Sequence, residues 1–121
     1  MRTRKIRKAV RTKLLERVKE VYYSHAPADR KNIFAVFNLE EVSVIDGCTV
    51  MNLLVELSDY GTDDTTIEDM ADAIQDDFDH YHYIDESLEF MSYLDSRKPI
   101  TEDDKLIMRR RIEFELRVYG G

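Results

Sequence analysis

Apolar residues recur at helical spacing at the start of the chain. Ile6, Val10, Leu14, Val18 and Val21 fall on one stripe, with Ala9 and Tyr22 beside them. A repeat of three to four residues predicts an amphipathic helix over residues 3–23, with Lys and Arg on its other side. Pro27 and the polar segment 28–32 are expected to end it, because proline has no amide to continue a helix. IFAVFNL (33–39) is short, aromatic and β-branched, the composition of a strand. Asp46-Gly47 marks a reversal, and CTVMNLLVELSDY (48–60) has the length of a longer second strand. The two read as a β-hairpin with a wide connection.

A second helix is predicted over 66–79. Thr65 with Glu68 three residues later has the form of a capping box, and Thr66 with Asp69 offers an alternative register. Ile67, Met70, Ala71, Ile74 and Phe78 form its apolar stripe, while Asp69, Asp72, Asp76 and Asp77 lie mostly off it. Leu88, Phe90, Ser92 and Leu94 then alternate with Glu89, Met91, Tyr93 and Asp95, predicting a strand over 86–96. RKPITEDDK is a polar connection. Ile112, Phe114, Leu116 and Val118 alternate with Glu113, Glu115, Arg117 and Tyr119, a strand with one buried and one polar face that runs into Gly120-Gly121. The predicted order is α-β-β-α-β-β. It describes a single α+β domain over 1–121, an antiparallel sheet of about four strands with two helices packed on it.

Charge sharpens this picture. Across its 121 residues the chain has a formal net charge of −7. Residues 1–31 carry eleven Lys and Arg against three acids, a balance of +8; residues 32–121 carry seven against 22, a balance of −15. From Asn32 to Ser96 there is no Lys or Arg at all. Such asymmetry suits an electrostatically directed contact, with nucleic acid, between subunits, or between the two parts of one fold. Arg4, Arg7, Lys8 and Arg11 on the first helix could neutralise phosphates. No nucleic-acid reader motif follows them, however, and the acidic remainder would repel DNA. The three consecutive arginines Arg109, Arg110 and Arg111 enter the last strand and could join either a nucleic-acid or a subunit patch, or form a solvated strand edge.

Candidate chemistry is thin. No apolar run approaches the roughly 20 residues of a membrane span, and no signal-peptide core follows the basic start. DDFDHYHY offers Asp76, Asp77, Asp79, His80 and His82 as metal ligands, but they would converge only in a particular extended geometry; a helix end running into a solvated loop is the plainer reading. DYGTDDTTIEDM places Gly61 third rather than sixth, so it is no calcium loop. Cys48, the sole cysteine, cannot form an internal disulfide and has no nearby His to activate it. Four glycines build no phosphate loop. Neither a cofactor nor a catalytic centre is expected.

The order of features resembles a known family. An N-terminal helix runs into VYYSHAP, followed by the strand IFAVFNL, a strand of the VMNLLVELSDY kind and the acidic helix TTIEDMADAIQDDF. RKPITEDDKLIMRRRIEFELRVYGG then supplies a loop, an arginine cluster and an alternating last strand. Over nearly the full chain this resembles the tail terminator or tail-completion proteins of long-tailed bacteriophages and prophages, some of them described as minor capsid proteins. The resemblance implies a structural virion protein, assembled in the host bacterial cytoplasm and forming rings, typically hexameric, that cap the tail tube and meet the head connector. It implies partners in other copies of itself, the tube protein and the head-completion protein, with a monomer in solution before assembly and DNA passing through the lumen without specific binding. Arg4, Arg7, Lys8, Arg11, Asp69, Asp72, Asp76, Arg97, Lys98 and Arg109 to Arg111 are then the expected interface residues. A head–tail connector subunit and a nucleic-acid-binding regulator remain the alternatives.

Overall fold

A computed structural model of the protein describes residues 2–28, 32–104 and 106–119. Segment 29–31 of the predicted helix stop and the closing Gly120-Gly121 lie outside the described residues. The elements are α1 (Arg2–Leu14), β1 (Val21–Tyr23), β2 (Phe34–Ile45), β3 (Cys48–Tyr60), α2 (Thr65–Phe78), β4 (Tyr81–Ile84), β5 (Glu89–Ile100) and β6 (Ile107–Tyr119). The six strands form one sheet in the order β1-β2-β3-β6-β5-β4. β1 pairs with β2 in parallel, and the other neighbours are antiparallel. The expectation of about four antiparallel strands in the order α-β-β-α-β-β is therefore overturned. The sheet is mixed, has six strands, and follows the order α-β-β-β-α-β-β-β.

Two short edge strands account for most of that difference. Ile6, Val10 and Leu14 of α1 are buried, and so are Val18 and Val21 beyond it. The apolar spacing continues, but the helix does not. The amides of Glu16 and Arg17 reach back only three residues, to Lys13 and Leu14, which tightens the chain out of the α-helix. The Ala35 amide then donates to the Glu20 carbonyl, which starts the pairing of VYY with β2. At the other edge YHYI forms β4 against β5.

The long strands obey their period of two. Met51, Leu53, Val55 and Leu57 of β3 share a buried face with Ile112, Phe114, Leu116 and Val118 of β6, in the register Leu53 opposite Phe114. Ile67, Ala71, Ile74 and Phe78 of α2 join the same core as the buried stripe of α1, so both helices cover this one face. Phe78 meets Phe114 with ring centroids 5.4 Å apart. Burying a side chain of this size contributes about 1.5–3 kcal/mol. The intervening residues, Val50, Leu54, Glu56, Arg109, Arg111 and Glu113 among them, turn to the opposite, helix-free face and are half-buried.

Two local devices set the register. β2 runs to Ile45, which pairs with Cys48, so the hairpin closes in two residues rather than a wide connection. Asp46 (φ 50°) and Gly47 (φ 77°) both take positive φ, the requirement of the two-residue turn that matches strand twist. In β5 the register slips between Leu94, opposite Phe114, and Ser96, opposite Glu113, leaving Asp95 as an extra residue. A one-residue slip exchanges the faces of everything beyond it. Arg97 thereby aligns with Ile112 and turns toward α2. The strand predicted to end at 96 instead runs on through RKPI.

Candidate interaction surface

The first face is the outside of α1. With Ile6, Val10 and Leu14 turned inward, helical spacing places Arg4, Lys8 and Arg11 together on the outer side, all exposed. They meet no acidic side chain within ion-pair distance among the described residues. Arg7, half-buried, instead lies 4.5 Å from the centroid of the Tyr23 ring. Other cations of this segment are held within the fold. The Lys5 Nζ donates to the Ser87 Oγ at 2.5 Å, and Arg2 comes within 3.8 Å of Glu41. The Arg17 guanidinium bonds both oxygens of Asp77, at 2.7 and 2.9 Å, and those bonds hold the Asp77 carboxyl below the usual carboxylate range.

The second face is α2. Asp69, Asp72 and Asp76 are exposed along its outer side. Asp72 accepts from Arg97 at 2.6 Å, whereas Asp69 and Asp76 meet no cation within ion-pair distance among the described residues. The capping box expected at Thr65 and Glu68 is not formed. Asp63 instead accepts from the Thr65 amide and hydroxyl, at 3.0 and 2.6 Å. Glu68 turns to the sheet, where it accepts from the Nε of Arg110 and, at 2.8 Å, from Arg97. The bond from Arg110 is the main reason the Glu68 carboxyl is held below its ordinary range.

The arginine run at 109–111 is divided by strand alternation. Arg110 projects to the helix side, reaching Glu68 and, at 3.6 Å, Asp64. Arg109 and Arg111 lie on the opposite face and converge on Glu56, at 2.5 and 3.0 Å. Arg109 also donates to Glu102 at 2.6 Å, which raises its already high pKa. Of the expected interface set, Asp72, Arg97, Arg109, Arg110 and Arg111 thus hold internal ion pairs. Arg4, Lys8, Arg11, Asp69, Asp76 and Lys98 are exposed and form no ion pair among the described residues, although Asp76 feels the nearby Arg17 through space.

The candidate metal ligands do not converge. Asp77 is taken by Arg17, Asp79 accepts from the Leu94 amide at 2.9 Å, and His82 lies 2.6 Å from Glu89. Among the described residues no group of three or more His, Cys, Asp or Glu side chains is placed to hold a metal ion. No helix among them is long and apolar enough to cross a membrane.

A third surface was missed by reading IFAVFNL as the whole strand. Beyond Leu39, β2 carries Val42, Val44 and Ile45 into solvent, and Ile84 and Tyr119 are exposed at the same end of the sheet. The available signal was the continuing pattern VSVI before the Asp-Gly turn.

No family model and no curated protein sequence matches the chain. A chain in a solved structure described as the virion of a native gene transfer agent particle has the same fold. The TM-score is 0.72 with 15% sequence identity, over 92% of each chain.

Proposed function

We propose that the protein is a structural subunit of a phage-type virion, a ring-forming tail terminator or completion factor. In this reading it caps the tail tube and joins it to the head connector, without cofactor or catalysis. The likeness to a chain of a gene transfer agent virion supports the virion setting. The observation that carries the assembly reading is the pair of exposed charged faces without ion pairs among the described residues, Arg4, Lys8 and Arg11 on α1 and Asp69 and Asp76 on α2. Surfaces of opposite sign on different parts of one molecule suit a head-to-tail contact, which closes into a ring when the rotation between copies allows it. A hexamer assembled in the host bacterial cytoplasm is the expected form. An acidic lumen would let DNA pass without retaining it.

The exposed basic stripe also favours one reading of another class, a nucleic-acid-binding regulator. Three phosphate contacts would give a salt dependence with a slope of about −3 in log affinity against log salt. Oligomeric mass across a concentration series, together with capping of purified tail tubes, separates the two. Concentration-dependent rings that plug tubes are expected. A strict monomer that leaves tubes open and binds duplex DNA with that slope would overturn the proposal. A head–tail connector subunit would form rings but seat on the portal side instead of the tube.

A further inference from the structure

The sheet has two open edges at one end. β1 covers β2 only at Ala35, Val36 and Phe37, and from Asn38 to Ile45 the outer side of β2 has no strand partner among the described residues. Phe37 turns its carbonyl outward to the Ser24 amide and Ala35 its amide to Glu20. The same alternation directs the backbone groups of Leu39 and Glu41 outward with no strand to meet them. The opposite edge, β4, also lacks a strand partner on its outer side among the described residues, although α1 lies close to its core-facing side, with the Lys13 Nζ 4.3 Å from the Tyr81 ring centroid.

These two edges are matched in level, direction and chemistry. Ile45, Cys48, Tyr119, Glu89 and Ile84 form one row across β2, β3, β6, β5 and β4. Three antiparallel steps and the pair β4–β5 leave β2 and β4 running the same way. A copy placed beside the first by rotation about an axis along the strands therefore lays its β4 parallel to the neighbour's β2. Parallel pairing already occurs in this sheet between β1 and β2. Val42, Val44 and Ile45 are 54%, 64% and 58% exposed on one edge, and Ile84 is 65% exposed on the other. An open strand edge carrying such residues is an invitation to strand addition. β2 itself bulges between Glu41 and Ser43, leaving Val42 as an extra residue. With Ile84 beside Val44 or Ile45, His80 and His82 then come level with Leu39 to Ser43, and β4 carries no carboxylate. Pairing β2 with a second β2 instead would bring Glu40 and Glu41 of both copies together, which like-charge repulsion opposes.

We infer that a second copy of this chain adds its β4 edge to the free Asn38–Ile45 edge of β2, joining the sheets of neighbouring subunits head to tail. This deepens the ring reading above and rests on it. Cysteine cross-linking tests it in a Cys48→Ser background, pairing Ile84→Cys with Val42→Cys, Val44→Cys or Ile45→Cys to sample the register. Adjacent strands bring Cα atoms within disulfide range. The positions are exposed, and an unchanged far-UV circular dichroism spectrum confirms that each variant is folded. The expected result is an oxidised ladder of dimer, trimer and higher species for at least one pair, and none for the single-cysteine variants. Ile84→Lys alone should weaken self-association about tenfold or more. Three outcomes overturn the inference. Rings of wild-type mass with no disulfide at any register would leave the ring reading standing and remove the edge contact. Dimers from Val44→Cys alone would show β2 pairing with β2. A folded monomer that forms neither rings nor disulfides even on purified tail tubes would remove both.

Discussion

Arg110→Met isolates the claim that the arginine cluster braces the fold from within. The guanidinium sits between β6 and α2 with its side chain 16% exposed, bonded to Glu68 and near Asp64. Methionine keeps much of the apolar stem and removes the charge. Deleting one partner of a fully buried pair costs about 3–5 kcal/mol, and an exposed pair is worth about 0–1 kcal/mol. Glu68 is itself 39% exposed and retains Arg97 at 2.8 Å, so it is not stranded without a partner. The expected loss is therefore intermediate, about 1–2 kcal/mol, or a fall in Tm of ~4–8 °C for a domain of this size. Urea denaturation followed by circular dichroism should show a lower midpoint with an unchanged slope. A double-mutant cycle with Glu68→Gln should return a coupling of about 1 kcal/mol. Well below its melting temperature the variant should assemble as the wild type does. Unchanged stability, additive effects in the cycle, or lost assembly in a fully stable variant would place Arg110 on a contact surface instead.

Other consequences follow from the same geometry. Arg97→Met removes its bonds to Asp72 and Glu68, both partly exposed; urea titration should register a loss of about 1 kcal/mol. Asp77 and Glu68 have carboxyls held below their unfolded values near 3.9 and 4.3, so their contribution is complete above those values and is lost as pH falls through the depressed folded ones. Stability measured by urea denaturation should hold between about pH 7 and 5 and decline below that, less steeply in Glu68→Gln. Gly47→Val meets no atom within 4 Å but must adopt φ +77°, so thermal melts should show a backbone cost of about 1–2 kcal/mol.

The parts of the fold legible in the sequence were those where one period ran without interruption. The alternation of Ile112 to Val118 names the residues that are buried, and so does the stripe of α2 apart from Met70, which is half-buried. Val18 and Val21 misled because they are buried at a helical interval although the chain there is turn and strand; burial spacing alone does not reveal the bonds that end α1. YHYI was too short to register as a strand between an acidic helix and a polar turn. The bulge at Asp95 is invisible locally, since its only consequence is which face Arg97 takes against a strand still to come. Arg109 to Arg111 read as one patch, yet alternation sends the middle arginine to the opposite side from its neighbours. Their partners Glu56 and Glu68 lie more than 40 residues earlier, so the ion pairs could not be read from spacing. The outward charges of α1 were more accessible, because a well-marked apolar stripe determines what faces away from it.

A charge-swap assembly assay addresses the head-to-tail contact most directly. One variant carries Arg4→Glu, Lys8→Glu and Arg11→Glu, and the other Asp69→Lys and Asp76→Lys. Native mass measurement of each alone should find assembly weakened, because like charges now face each other. An equimolar mixture should recover rings in which the two variants alternate. Wild-type assembly by either variant alone, or no recovery in the mixture, would contradict a contact between the basic face of α1 and the acidic face of α2.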